Sequence, residues 1–116
     1  PALNNLAYLT LEVYTDNKEA LKLAAKAFRN SPGNAGVMDT LGYALLMNGR
    51  AEEAIPFLEK AITLMSQAAS IHLHLAQAYK AVGRNEDAVT SLAAINETNA
   101  QGPQLQEAKA LLKELN

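Results

Sequence analysis

The chain has 116 residues, with 10 Lys and Arg against 12 Asp and Glu for a formal net charge of −2, and it contains no cysteine. That length suits one domain with a modest core. The balanced charge supplies no basic stripe for nucleic acid and no acidic tail, and the absence of thiols excludes disulfides and thiolate metal sites while leaving cytosol and periplasm both open. The sequence opens on Pro1 without a charged-then-apolar leader and reads as a piece of a longer protein.

The first helix is expected to begin abruptly near Ala2. Its Asn5-Leu6-Ala7-Tyr8 run aligns with Thr40-Leu41-Gly42-Tyr43 further on. The turn Tyr14-Thr15-Asp16-Asn17 lacks a glycine, so Asp16 or Asn17 is expected to take the turn and cap roles. A second helix follows from about Lys18 to Arg29, burying Ala20, Leu21, Ala24, Ala27 and Phe28, and Asn30-Ser31-Pro32-Gly33 stops it. Small side chains on that face allow neighbouring helices to approach closely.

The stretch Asp39 to Leu64 is the template for the rest. Met38, Leu41, Gly42 and Leu45 recur at helical spacing, Asn48-Gly49 breaks the run, and Ala51, Ala54, Ile55, Leu58, Ala61 and Ile62 form the next apolar face. Glu52, Glu53, Glu59 and Lys60 are left for solvent, and Pro56 is expected near the end of that helix's first turn. Sliding the chain by 34 residues brings Leu41 onto Leu75, Gly49 onto Gly83, Arg50 onto Arg84, Ala54 onto Ala88, Leu58 onto Leu92 and Ala61 onto Ile95. The first hairpin departs from this by one residue, which places an insertion within Tyr14 to Lys18.

The uncharged run from Ala61 to Tyr79 contains Ser66, Gln67, Ser70 and both histidines, with a helix boundary expected between Ser66 and Ala69. It is two half-helices, not a membrane span, which needs about 20 apolar residues. Beyond the loop Asn96 to Gly102, Pro103 opens a last helix that breaks the register. Its stripe of Leu105, Ala108, Leu111, Leu112 and Leu115 suits a cap closing the open end of the core.

A helix-turn-helix unit of 34 residues resembles the tetratricopeptide repeat, whose Leu-Gly pair is matched by Leu41-Gly42 and whose small-then-bulky pair is matched by Ala54 with Leu58 and Ala88 with Leu92. The resemblance implies an all-α, right-handed α-solenoid of three helical hairpins plus a C-terminal capping helix. The repeats would span about 1–34, 35–68 and 69–101, with the cap at 103–115. Counted from the Leu-Gly landmark, the family's groove positions fall at Asn4, Tyr8, Leu11, Asp39, Tyr43, Leu46, Met47, Leu73, Gln77 and Lys80, each apolar member of which either contacts a partner or belongs to the core. Asp39 and Leu73 stand where binders of chaperone tails carry a basic residue, which argues against that partner. The runs ALNNLAYL, DTLGYALL and EAKALLKEL are similar to the C-terminal part of bacterial envelope repeat proteins such as the lipoprotein of exosortase-linked exopolysaccharide systems, which implies the periplasmic side of the envelope.

Catalytic chemistry has little support. His72 and His74 lie roughly 200° apart around a helix, with no ligand four residues away from either; His72 falls at a packing position and His74 is expected to face out. Glu52 and Glu53 beside Arg50, and Glu86 and Asp87 beside Arg84, recur at helix starts, where acids favour the dipole and cap free N–H groups. Phosphate loops, nucleophile elbows and zinc-helix motifs are absent. The expectation is therefore a non-enzymatic interaction module with no cofactor and no metal, holding a peptide or protein partner in the groove, without nucleic acid or membrane insertion. The alternative is a structural segment of a longer solenoid that self-associates through an N-terminal face containing Leu3, Leu6 and Leu9.

Overall fold

The computed structural model describes residues 2–12, 16–97 and 99–115. Seven helices make up the ordered part of these residues: α1 (Ala2–Glu12), α2 (Asn17–Asn30), α3 (Ala35–Met47), α4 (Ala51–Leu64), α5 (Ala69–Ala81), α6 (Asn85–Ala93) and α7 (Pro103–Leu115). They pair as hairpins α1–α2, α3–α4 and α5–α6, and each hairpin packs its second helix on the first helix of the next. The first helices also meet one another directly, α1 on α3, α3 on α5 and α5 on α7, whereas the backbones of α2, α4 and α6 stay apart. An inner layer more closely spaced than the outer one must curve, so α1, α3, α5 and α7 line the concave side.

Small side chains set the spacing. Ala7, Ala20, Ala24, Ala44, Ala54, Ala61, Ala76, Ala78 and Ala88 have no exposed surface, and Leu58 is equally enclosed. A Cβ placed on Gly42 would lie 2.5 Å from Leu58 Cγ, so only glycine lets α3 approach α4 this closely. Phe28 of α2 meets Phe57 of α4 edge-on at 5.2 Å and is half-buried, as is Leu21, which the periodicity had placed inside.

The turns reveal both the repeat and its one irregularity. Gly49 and Gly83 take φ of 76° and 81°, the left-handed region that costs other residues about 1–2 kcal/mol. After them Arg50 N–H donates to Leu45 O and Arg84 N–H to Tyr79 O, each spanning five residues. In the first hairpin Asp16 N–H reaches Thr10 O, spanning six, which agrees with the extra residue; Tyr14 and Thr15 lie outside the described residues. Asp16 caps α2 by accepting from Glu19 N–H at 3.1 Å, and Asn34 caps α3 by accepting from Val37 N–H at 3.0 Å. Asn48 ties neighbouring turns together by donating to Asn17 O and Ala44 O, and Asn17 donates back to Met47 O.

Several expectations need correction. The acids at the starts of α4 and α6 cap no N–H group; Glu53 and Asp87 pair instead with Arg50 and Arg84, which precede their helices. Pro56 is the sixth residue of α4, beyond the first turn, on an exposed face where the helix continues through it. The last helix does not break the register: Pro103 starts α7 34 residues after Ala69 starts α5, itself 34 after Ala35. α7 thus occupies the place of a fourth first helix. The positions that Leu41 and Leu45 bury in α3, and Leu75 and Tyr79 in α5, are filled in α7 by exposed Lys109 and Lys113.

Gly42→Ala is expected to cost about 1–3 kcal/mol in urea denaturation through overpacking against Leu58. Leu41→Ala, which instead opens a cavity between repeats, should cost about 2–5 kcal/mol.

Candidate functional site

The concave face follows from the inner layer's ladder of equivalent positions. Tyr8, Tyr43, Gln77 and Leu111 form one rung series along α1, α3, α5 and α7, and Asn4, Asp39, Leu73 and Glu107 form another one turn earlier. Of the groove residues expected from sequence, Tyr8 is 46% exposed, Met47 is 43% exposed and Lys80 is exposed. Asn4, Asp39, Tyr43, Leu46 and Gln77 are half-buried, and Leu11 and Leu73 are buried in the core beneath the face. The ten positions therefore divide into an accessible surface and the packing that supports it.

At the centre, α3 and α5 are clasped by a polar cluster. Tyr43 lies flat on His74, with ring centroids 4.1 Å apart and planes 10° from parallel. His74 Nδ1 sits 2.7 Å from Asp39 Oδ1; a carboxylate only accepts, so the imidazole proton is on Nδ1. His74 is 7% exposed, which corrects the expectation that it faces out. α5 is flanked by α3, α4, α6 and α7, so it has almost no free side: every residue from Leu73 to Tyr79 except half-buried Gln77 is buried. His72 is half-buried at the junction between hairpins, its Nε2 2.8 Å from Ser66 O, and so fastens the α4–α5 connection.

Carboxylates from other helices converge on this cluster. Burial first, then the nearby Glu12 carboxylate, raises the pKa of the Tyr43 hydroxyl far above the usual value for a phenol. Tyr8 is raised by burial and then by the charges of Glu12, Asp39 and Glu107. Glu107 accepts from Gln77 Nε2 at 3.3 Å, and Glu114 pairs with Lys80, so α7 holds the far end of the face and neutralises its cation. The Asn4 side-chain oxygen is buried with no donor among the described residues. Sequence reasoning missed Glu12, Glu107, Glu114 and the buried role of His74. The signal available was the 35-residue spacing of Asp39 and His74, which sets them on adjacent first helices.

The surface offers aromatic faces, a flexible thioether and carboxylates, the chemistry of side-chain recognition. Among the described residues no group of three His, Cys, Asp or Glu side chains could hold a metal ion, and no helix is long and apolar enough to cross a membrane.

Tyr79, like Tyr43, has its pKa raised, by burial first and then by its hydroxyl bond to Glu59. A phenol raised in the folded state leaves stability unaffected below its unfolded pKa of about 10 and erodes it as pH rises further, because the unfolded chain then holds fewer protons. Absorbance titration is expected to show Tyr43 and Tyr79 ionising only as the fold is lost. Tyr79→Phe should lessen the drop in stability between about pH 9 and about pH 11.

A family model described as tetratricopeptide repeat matches residues 45–112, more than half of the chain. A comparison with curated proteins gave no match. Among solved structures, the first TPR domain of the human RPAP3 protein superposes with a TM-score of 0.82 at 16% identity, covering 97% of this chain and 86% of that one. PcrH, solved in complex with the chaperone binding region of PopD, gives 0.80 at 14% identity, covering 98% and 88%. The Yersinia enterocolitica type III secretion chaperone SycD, in complex with a peptide of the translocator YopD, gives 0.79 at 17% identity, covering 98% and 89%. At such identities the likeness is one of fold.

Proposed function

Because the chain belongs to the tetratricopeptide repeat family, whose stacked hairpins present one extended concave face, we propose that this face binds a peptide or protein partner and that the chain works without catalysis. The observation that carries this is the exposure of Tyr8 on α1 and Met47 on α3, both in the inner layer that the Tyr43–His74–Asp39 clasp helps to hold. A ring and a thioether left in water on a rigid surface are suited to side chains of a bound segment. Half-buried Tyr43, Leu46 and Gln77 would form the bed between them, and Asn4 brings an acceptor that still lacks a donor. Leu11 and Leu73 support the bed from within, while Asp39 and Lys80 are engaged by His74 and Glu114. The like-folded PcrH and SycD each hold a partner segment, and the same use of the fold is proposed here. The similarity of ALNNLAYL, DTLGYALL and EAKALLKEL to envelope repeat proteins supports a setting in the bacterial cell envelope.

Tyr8→Ala with Met47→Ala should leave stability within about 1 kcal/mol, as exposed changes do. Peptides selected by phage display on the wild-type chain are expected to lose about tenfold or more in affinity for this variant. Selected peptides that bind both forms equally would place the partner elsewhere.

Leu6 and Leu9, each 47% exposed on α1, favour a second reading in which this helix face self-associates. Light scattering over a concentration series distinguishes it. A dimer that Leu6→Lys with Leu9→Lys abolishes supports the second reading, and a monomer at every concentration removes it.

A further inference from the structure

The outer layer carries a feature that the net charge conceals. α2 has a single acid, Glu19 in its first turn, against Lys18, Lys22, Lys26 and Arg29. These four fall at intervals of four, four and three residues, so they share one face over about 16 Å of helix. All are exposed, and none has an ion-pair or hydrogen-bond partner among the described residues. Like charges one turn apart weaken a helix when left bare. With Arg50 from the α3–α4 turn they border an open groove of about 740 Å³, whose floor is formed by half-buried Leu21 and Ala25.

We propose that this groove on α2 is a second docking site, independent of the concave face, for an acidic amphipathic helix of a partner protein. Charge complementarity selects the sign: acids repeating every turn would meet Lys18, Lys22, Lys26 and Arg29 in succession. The apolar floor selects the class. Leu21 and Ala25 are half-buried beside the cations, one turn apart, where the apolar stripe of an incoming helix can reach them. Nucleic acid is disfavoured because the groove has no aromatic ring for stacking bases and the chain as a whole is acidic. Half of the ten cations of the chain gather here, and Arg50 alone among the five is already held, by Glu53.

The test uses the whole chain and a fluorescein-labelled synthetic peptide of about four helical turns, with glutamates repeating each turn beside a leucine stripe. Anisotropy titration is expected to show saturable binding that weakens about tenfold or more on Lys22→Glu with Lys26→Glu, and also weakens on raising salt from about 0.05 M to about 0.5 M. A peptide of the same composition with its leucines scattered around the helix should bind more weakly. Tyr8→Ala with Met47→Ala should leave this binding unchanged, so that failure here and failure of the concave-face reading are told apart. Absence of saturable binding, indifference to the charge reversal, equal binding of the scattered peptide, or tighter binding to phosphatidylserine vesicles or to a DNA duplex would overturn the proposal.

Discussion

The closeness of α3 to α4, set by Gly42 against Leu58, is the constraint on which the other contacts depend. The fully enclosed alanines of α1, α2, α4, α5 and α6 repeat the same device along the stack, so the helices of each pair lie nearly backbone to backbone. Dispersion contacts at that distance are numerous and short-ranged, and a single added methyl group is felt at once. Tight pairs leave the two layers unequally spaced, and the curvature that exposes Tyr8 and Met47 follows from that inequality.

The polar cluster at the middle of the concave face joins the second and third hairpins, which the Tyr79–Glu59 hydrogen bond also links. Apolar packing is tolerant of small rotations; a stacked ring pair and a hydrogen bond to a buried imidazole are not. Tyr43, His74 and Asp39 therefore hold the angle between the second and third hairpins. Glu12 on α1, with Glu107 and Glu114 on α7, extends the network to both ends of the face, so its geometry is a property of all three hairpins together with α7.

Much of this architecture was legible because it is periodic. The coincidence of Leu41 with Leu75 and of Gly49 with Gly83 defined the hairpins, and the one-residue discrepancy before Ala20 marked the longer turn seen between Thr10 and Asp16. What escaped was whatever depends on a neighbour from another repeat. His74 was assigned by its angle on an isolated helix, yet α5 has neighbours on nearly every side. α7, expected to break the register, keeps the period at its start, with lysines where α3 and α5 carry buried leucines and a tyrosine. The acids in the first turns of α4 and α6 suggest caps, but the arginine three residues before Glu53 or Asp87 offers a stronger, fully charged partner.

Lys109 and Lys113 on the outer side of α7 have a further consequence, for symmetry. The two ends of the stack are chemically unlike, one bearing leucines on α1 and the other a charged helix face. A contact between the leucine-bearing face of α1 and this face of α7 would bury those ammonium groups, at a desolvation cost that their mismatch leaves uncompensated.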